Sequence, residues 1–144
     1  MAATETHLFR VTLRPKIYRD FEIISTKKLH DLAETIVQYF GFDFDHAFGF
    51  YSLPKGNVIR SPVKYELFAD MGDSDARSVK RTPIVDAFPE VGDKMTFLFD
   101  YGDGWEFRTE VIGRGRKQAG AKYPRLLKTV GKAPEQYPDD LDDE

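Results

Sequence analysis

"HLFRVTLRPKIYRDFEIISTKKLHDLAETIVQYFG", residues 7–41, decides the fold. Its first half alternates. His7, Phe9, Val11 and Leu13 take every second place, with Leu8, Arg10 and Thr12 between them. Ile17, Arg19, Phe21 and Ile23 then alternate with Tyr18, Asp20 and Glu22. A period of two marks strands with one buried face. Pro15 suits the loop that joins them, because proline cannot donate to a ladder. The second half changes period. Leu29, Leu32, Ala33, Ile36, Val37 and Phe40 fall at helical spacing and make one apolar stripe. Ser25 or Thr26 is expected to cap this helix, and Gly41 to stop it.

Working outward, "HAFGFYSLPKGNVI" (residues 46–59) reads as a strand starting at His46, a turn over Pro54, Lys55, Gly56 and Asn57, and a second short strand. Residues 60–81 are mostly polar and are expected as a long surface loop. "TPIVDAF" (82–88) reads as a helical turn capped by Thr82 with Pro83 first. "KMTFLFDY" (94–101) and "WEFRTEVI" (105–112) are the last strand pair. Met95, Phe97, Phe99 and Tyr101 are expected on one face, and Trp105, Phe107, Thr109 and Val111 alternate likewise. The expected architecture is a single α+β domain over residues 7–132. It has a mixed or antiparallel sheet of five to six strands on one main helix, in a β-grasp-like order. Residues 133–144 hold six acids and no base and are expected as a disordered acidic tail.

Composition agrees with one globular domain. The 144 residues are 41% hydrophobic and 31% charged, and twelve Phe and seven Tyr predict an aromatic core. There is no cysteine, which excludes disulfides, thiolate metal sites and Cys nucleophiles and fits a reducing cytoplasm, the expected location. The N-terminus carries neither the basic nor the apolar region of a signal peptide, and no apolar run has the length of a membrane span.

Between the last strands, "DYGDGWEF" (100–107) poses the functional question. Asp103 with Gly104 suits a type I′ hairpin turn, and Gly102 with Asp103 a type II′ turn. Tyr101 and Trp105 flank the turn and are placed to pair across it. A turn explains the glycines and aromatics. Asp100, Asp103 and Glu106 then either accept backbone N–H groups or serve a ligand.

Three histidines are present. His30 lies at the edge of the helical stripe, and His46 follows the helix exit "GFDFD". With Asp43 or Asp45 they make a His/carboxylate set of the kind that suits zinc or iron. No regular ligand spacing accompanies them, so the plainer reading is histidines hydrogen-bonded at a helix–sheet edge, with no metal and no cofactor. No GxSxG elbow occurs, and "GRGRKQAG" matches neither nucleotide-binding loop.

Net charge is −3 but uneven: residues 108–132 carry eight bases against Glu110 alone. Arg114, Arg116, Lys117, Lys122 and Arg125 are candidates for tracking a phosphate backbone. The alternative is a solvated loop balanced by the acidic tail.

Several blocks together resemble a known family. In residues 7–50 a second strand carries Pro15 and Arg19, a Leu29-His30 helix follows, then Gly41-Phe42-Asp43 and His46. "DYGDGWEF" is similar to the family's signature hairpin, and "YPRLLKTVGKAPEQYPD" (123–139) to its closing block. The chain resembles the plasmid pRiA4b ORF-3-like family. The resemblance implies a small intracellular α+β domain linked to plasmids and transposons, and no reaction. It singles out Arg19, His30, His46, Asp100, Gly102, Asp103, Gly104 and Trp105. Phe48, Phe107 and Leu126 stand where the family often has His, His and Cys. The expected function is therefore a non-catalytic binding or interaction module with Arg19, His30, His46, Asp100, Asp103 and Trp105 as ligand candidates. Its alternatives are nucleic-acid binding through 108–132, and a metal-dependent enzyme using His30, His46, Asp100 and Asp103. The partner is a nucleic acid or a protein, and not a membrane.

Overall fold

The computed structural model describes residues 4–71 and 75–137 of the chain. The elements run β1 (Glu5–Arg14), β2 (Ile17–Ile24), α1 (Leu29–Tyr39), β3 (Phe48–Tyr51), a 3-10 turn (Val58–Arg60), β4 (Lys64–Glu66), β5 (Arg77–Ser78), α2 (Ile84–Ala87), β6 (Lys94–Phe99), β7 (Trp105–Arg116) and β8 (Arg125–Val130).

The α+β class holds, but the sheet is larger than expected. It has eight strands in the order β5-β4-β3-β6-β7-β1-β2-β8. All pairs are antiparallel except β4 with β5. β1 runs antiparallel to both of its neighbours, so the order is not β-grasp-like. β4 and β5 lie inside the stretch expected as a loop and β8 inside the basic segment, while the second short strand expected by Ile59 is a 3-10 turn. Tyr65 and Val79 from that stretch are buried in the core. Among the described residues no helix is long and apolar enough to cross a membrane.

One sheet face and the stripe of α1 make the core. Phe9, Val11, Phe21, Phe48, Phe50, Phe97, Phe99 and Phe107 face Leu29, Leu32, Ala33, Ile36 and Val37, all fully buried or nearly so. Phenyl rings meet tilted or edge-on, as Phe40 does with Phe107 at 4.9 Å and Phe9 with Phe88 at 5.1 Å. The other face stays partly open, as antiparallel sheets allow. There Arg10 forks onto Asp20 at 2.8 and 2.9 Å, and the loop after β3 covers Tyr51 and Leu98 with Val58.

The caps differ from expectation. Lys28 is the N-cap of α1, and its N–H donates to Asp31 Oδ2 at 3.0 Å. Ser25 instead bonds the ring of buried His7. Pro83, not Thr82, precedes α2, since the Thr82 hydroxyl donates to Ser78 O. Gly41 does end α1: its φ is 75°, and the N–H of Phe42 reaches back to Val37 O.

Packing also runs on past Lys132, the expected domain end. Ala133 packs on the core and Gln136 is 7% exposed, so residues 133–137 form a strap across the domain. The remainder of the expected tail, residues 138–144, lies outside the described residues.

Candidate functional site

The "DYGDGWEF" turn is neither hairpin type expected from its sequence. β6 ends at Phe99 and β7 begins at Trp105, and these two residues pair. The positive φ falls on Asp100 (67°) and Gly104 (69°) rather than on Asp103. The Gly104 N–H closes a five-residue loop onto Asp100 O at 2.6 Å. Asp100 Oδ1 accepts the N–H groups of Gly102 (3.1 Å) and Asp103 (3.2 Å), which holds this aspartate in the left-handed region. The same twist throws Tyr101 to the outer face. There its hydroxyl meets Tyr51 Oη at 2.7 Å instead of lining up with Phe99. Tyr51 donates to Glu66 at 2.5 Å, and burial raises the pKa of both phenols. Gly49 makes room for this ring, since a Cβ there would lie 2.7 Å from Tyr51 Oη.

Asp100 is 5% exposed, and its second oxygen, Oδ2, lies 3.4 Å from His46 Nε2. His46 stands in the loop before β3 rather than in the strand, edge-on to Phe99. The same Nε2 lies 2.5 Å from Tyr137 Oη and 3.7 Å from Asp45 Oδ1. Tyr137 Oη is 3.0 Å from Asp45 Oδ2 and donates to it. Its pKa is pushed up to about 12, by desolvation first and then by the bond to Asp45 and the charges of Asp45, Asp100 and Asp103. Gln136 locks this arrangement. Its Oε1 accepts the Asp43 N–H at 2.6 Å, while its Nε2 donates to Asp43 O and Asp45 Oδ1. Three segments far apart in sequence, 43–46, 100–105 and 136–137, therefore meet in one half-exposed rim at the end of the sheet.

Arg19 holds the chain just before two of these segments. It is 5% exposed and donates to four carbonyls: Tyr39 at the end of α1, Tyr18, Val130 and Gly131. Burial lowers its pKa, and the negative helix end and the Phe40 ring at 4.8 Å offset the desolvated charge. Gly131 sits at φ 77°, and a Cβ there would run into Lys16 O and Ile17. Arg19 is thus a buried tie between β2, the end of α1 and the start of the strap.

The other candidates separate. His30 packs on Phe44 and Phe48, at ring distances of 5.5 and 5.8 Å, and its neighbours are Asp31 and Glu34 rather than His46. Trp105 stacks edge-on to Phe42 at 4.8 Å beneath the rim, and its Nε1 is buried with no partner among the described residues. Phe48 and Phe107 are core residues.

The basic segment disperses. Arg114 pairs with Glu5, and Arg125 with Glu22 at 2.8 Å. Glu22 also takes the Thr6 hydroxyl at 2.5 Å. Arg116, Lys117 and Lys122 are exposed and make no ion pair among the described residues.

Sequence reasoning named His46, Asp100 and Trp105, and Asp45 as one of two carboxylates beside the histidines, but missed Gln136 and Tyr137. The Gln136-Tyr137 pair carried a signal only as a break in an acidic run.

No curated protein matches the chain. Among solved structures it is similar to the crystal structure of a protein of unknown function, MM3350, from Methanosarcina mazei Go1. The two are 18% identical with a TM-score of 0.78, and the match covers 94% of this chain and 75% of that one, a likeness of fold. The family model described as plasmid pRiA4b ORF-3-like protein matches residues 6–142, so the three segments of the rim all fall inside it. The chain belongs to the plasmid pRiA4b ORF-3-like protein family.

Proposed function

We propose that this chain is a non-catalytic binding module whose ligand site is the rim of Asp45, His46, Asp100 and Tyr137. The observation that supports this is the convergence of three distant segments on polar groups already fixed by backbone and Gln136 contacts. Loops held on a rigid sheet are where binding residues concentrate. The rim carries the carboxylates of Asp45, Asp100 and Asp103 beside one imidazole, so it favours a cationic ligand and repels phosphate. The test is calorimetric titration with spermidine and with a short Lys/Arg-rich peptide. Binding that weakens in Asp45→Asn is expected. Absence of binding by either probe at low salt contradicts the reading.

A second reading is nucleic-acid binding through Arg116, Lys117 and Lys122. It is supported by their exposure without acidic partners among the described residues and by the family's link to mobile elements. It requires DNA or RNA binding whose log affinity falls with log salt, by about 0.9 per duplex phosphate contacted. The Arg116, Lys117 and Lys122 triple alanine variant should lose it.

A further inference from the structure

β7 alternates across the sheet. Phe107 lies in the core and Trp105 packs against it, so Glu106 and Arg108 stand on the opposite, outer face. There Arg108 pairs in register with Thr12 of β1 on one side and with Thr96 of β6 on the other. The Thr96 hydroxyl donates to Leu53 O at 2.8 Å, and Arg108 Nη2 donates to Pro54 O at 3.3 Å. These bonds pin the loop after β3 over the sheet. Pro54 of that loop and Pro15 of the β1–β2 turn wall a hollow of about 250 Å3.

Arg14, Arg108, Thr12 and Glu106 also line this hollow. Three other arginines of the sheet are spent on carboxylates, Arg10 on Asp20, Arg114 on Glu5 and Arg125 on Glu22. Arg14 and Arg108 are exposed and make no ion pair among the described residues, even with Glu106 in the same lining. The Thr12 hydroxyl makes no hydrogen bond among them either. Lys16 and Lys55, next to the two prolines, are exposed and unpaired in the same sense, so cations outnumber Glu106 around the mouth. The hollow therefore draws anions, while the rim on the core side of the same sheet end is acidic.

We propose that this hollow binds a small phosphate monoester with a hydroxyl-bearing carbon chain. A phosphate dianion matches the charge of two guanidinium groups, where a carboxylate would leave one unmatched. Guanidinium forks also meet phosphate oxygens two at a time, and the free Thr12 hydroxyl adds a further donor. Glu106 then accepts from a hydroxyl of the ligand. The hollow is smaller than the roughly 300–1,000 Å3 of drug-sized sites, which leaves room for only a few carbons beside the phosphate. The proposal is independent of the reading of the rim.

The test is backbone amide NMR of the labelled full chain titrated with glycerol phosphate. Inorganic phosphate, glycerol and NaCl at matched ionic strength are the comparisons. Saturable shifts are expected at Thr12, Arg14, Thr96, Glu106 and Arg108, with half-saturation at about 1 mM or below. Inorganic phosphate should shift the same amides with weaker affinity, and glycerol and NaCl should not. Arg14→Gln and Arg108→Gln should each weaken binding about tenfold, since each removes a charge-assisted pair. The Arg116→Gln, Lys117→Gln double variant should bind as wild type does. Both lining arginines are exposed, and the amide spectrum of each variant checks its fold. No saturable shift in wild type overturns the proposal, as does full binding by both arginine variants. Equal affinity for inorganic phosphate overturns the part given to the carbon chain and Glu106. Shifts of these amides by a single-stranded DNA oligonucleotide, with none by glycerol phosphate, overturn the small-molecule class.

Discussion

The rim and the basic segment are opposites in how they are built. The basic segment is contiguous in sequence, eight bases in residues 108–132, and the fold scatters it. Two of its five candidate cations are tied to Glu5 and Glu22 in sheet contacts. The rim is scattered in sequence, and the fold gathers it to within 3.7 Å of one imidazole nitrogen. A charge run therefore says little about a surface until its partners are placed, while isolated polar residues at loop ends gain meaning when a sheet brings those ends together.

The largest break in this comparison comes from Arg19. Arg19→Ala removes one buried donor from four carbonyls and should cost about 2–3 kcal/mol by urea denaturation. It should also speed amide exchange in residues 131–137 while leaving 116–122 unchanged. Equal exchange in both segments would show that the strap does not depend on Arg19.

Asp100→Ala should cost about 1–2 kcal/mol, because two turn N–H groups lose their acceptor; Asp100→Asn should cost less. Equal losses would mean that charge, not turn geometry, dominates at this position.

A smaller effect is set by pH at neither region but at the scaffold they share. His7 is fully buried between Ser25 and Phe88 O, and burial lowers its pKa below 6.5. The unfolded chain then takes up a proton that the native state refuses. Stability is full above about pH 6.5 and is lost as pH falls toward the lowered native value, by at most about 1.4 kcal/mol per pH unit. Denaturation midpoints across pH 5–8 should show this slope, and His7→Gln should flatten it.

The smallest effect belongs to the basic segment. Triple alanine replacement of Arg116, Lys117 and Lys122 should change stability by no more than about 0.5 kcal/mol, since none makes an ion pair among the described residues. A larger loss in thermal unfolding would place that segment in the fold after all.

How far the sequence reached follows from the range of each interaction. β1, β2 and α1 were legible because their periods are local and long enough to count. β4 and β5 were not, because three and two residues are too short to show a period. Each offers the core little more than one side chain, Tyr65 or its neighbour Val79. The turn after β6 was misread because Asp100, not Asp103, takes the positive φ, and a side-chain bond to its own loop decides that. His46 and Asp100 were legible as candidates. Asp45 was legible only as one of two carboxylates beside the histidines, and Gln136 and Tyr137 were not legible, because their position depends on a strap held at its start by Arg19 and Gly131. His30 was grouped with His46 because a helical wheel places a residue at an edge without saying which loop covers it.

The claim that ligands bind at the gathered rim and not along the charge run is tested most directly by backbone amide NMR. The labelled full chain is titrated with a Lys/Arg-rich peptide and, separately, with a duplex DNA oligonucleotide. The account predicts peptide-induced shifts at Asp43, Asp45, His46, Asp100, Trp105, Gln136 and Tyr137, with the rim unmoved by DNA. Shifts confined to residues 114–125 under DNA, with a silent rim under peptide, would contradict it.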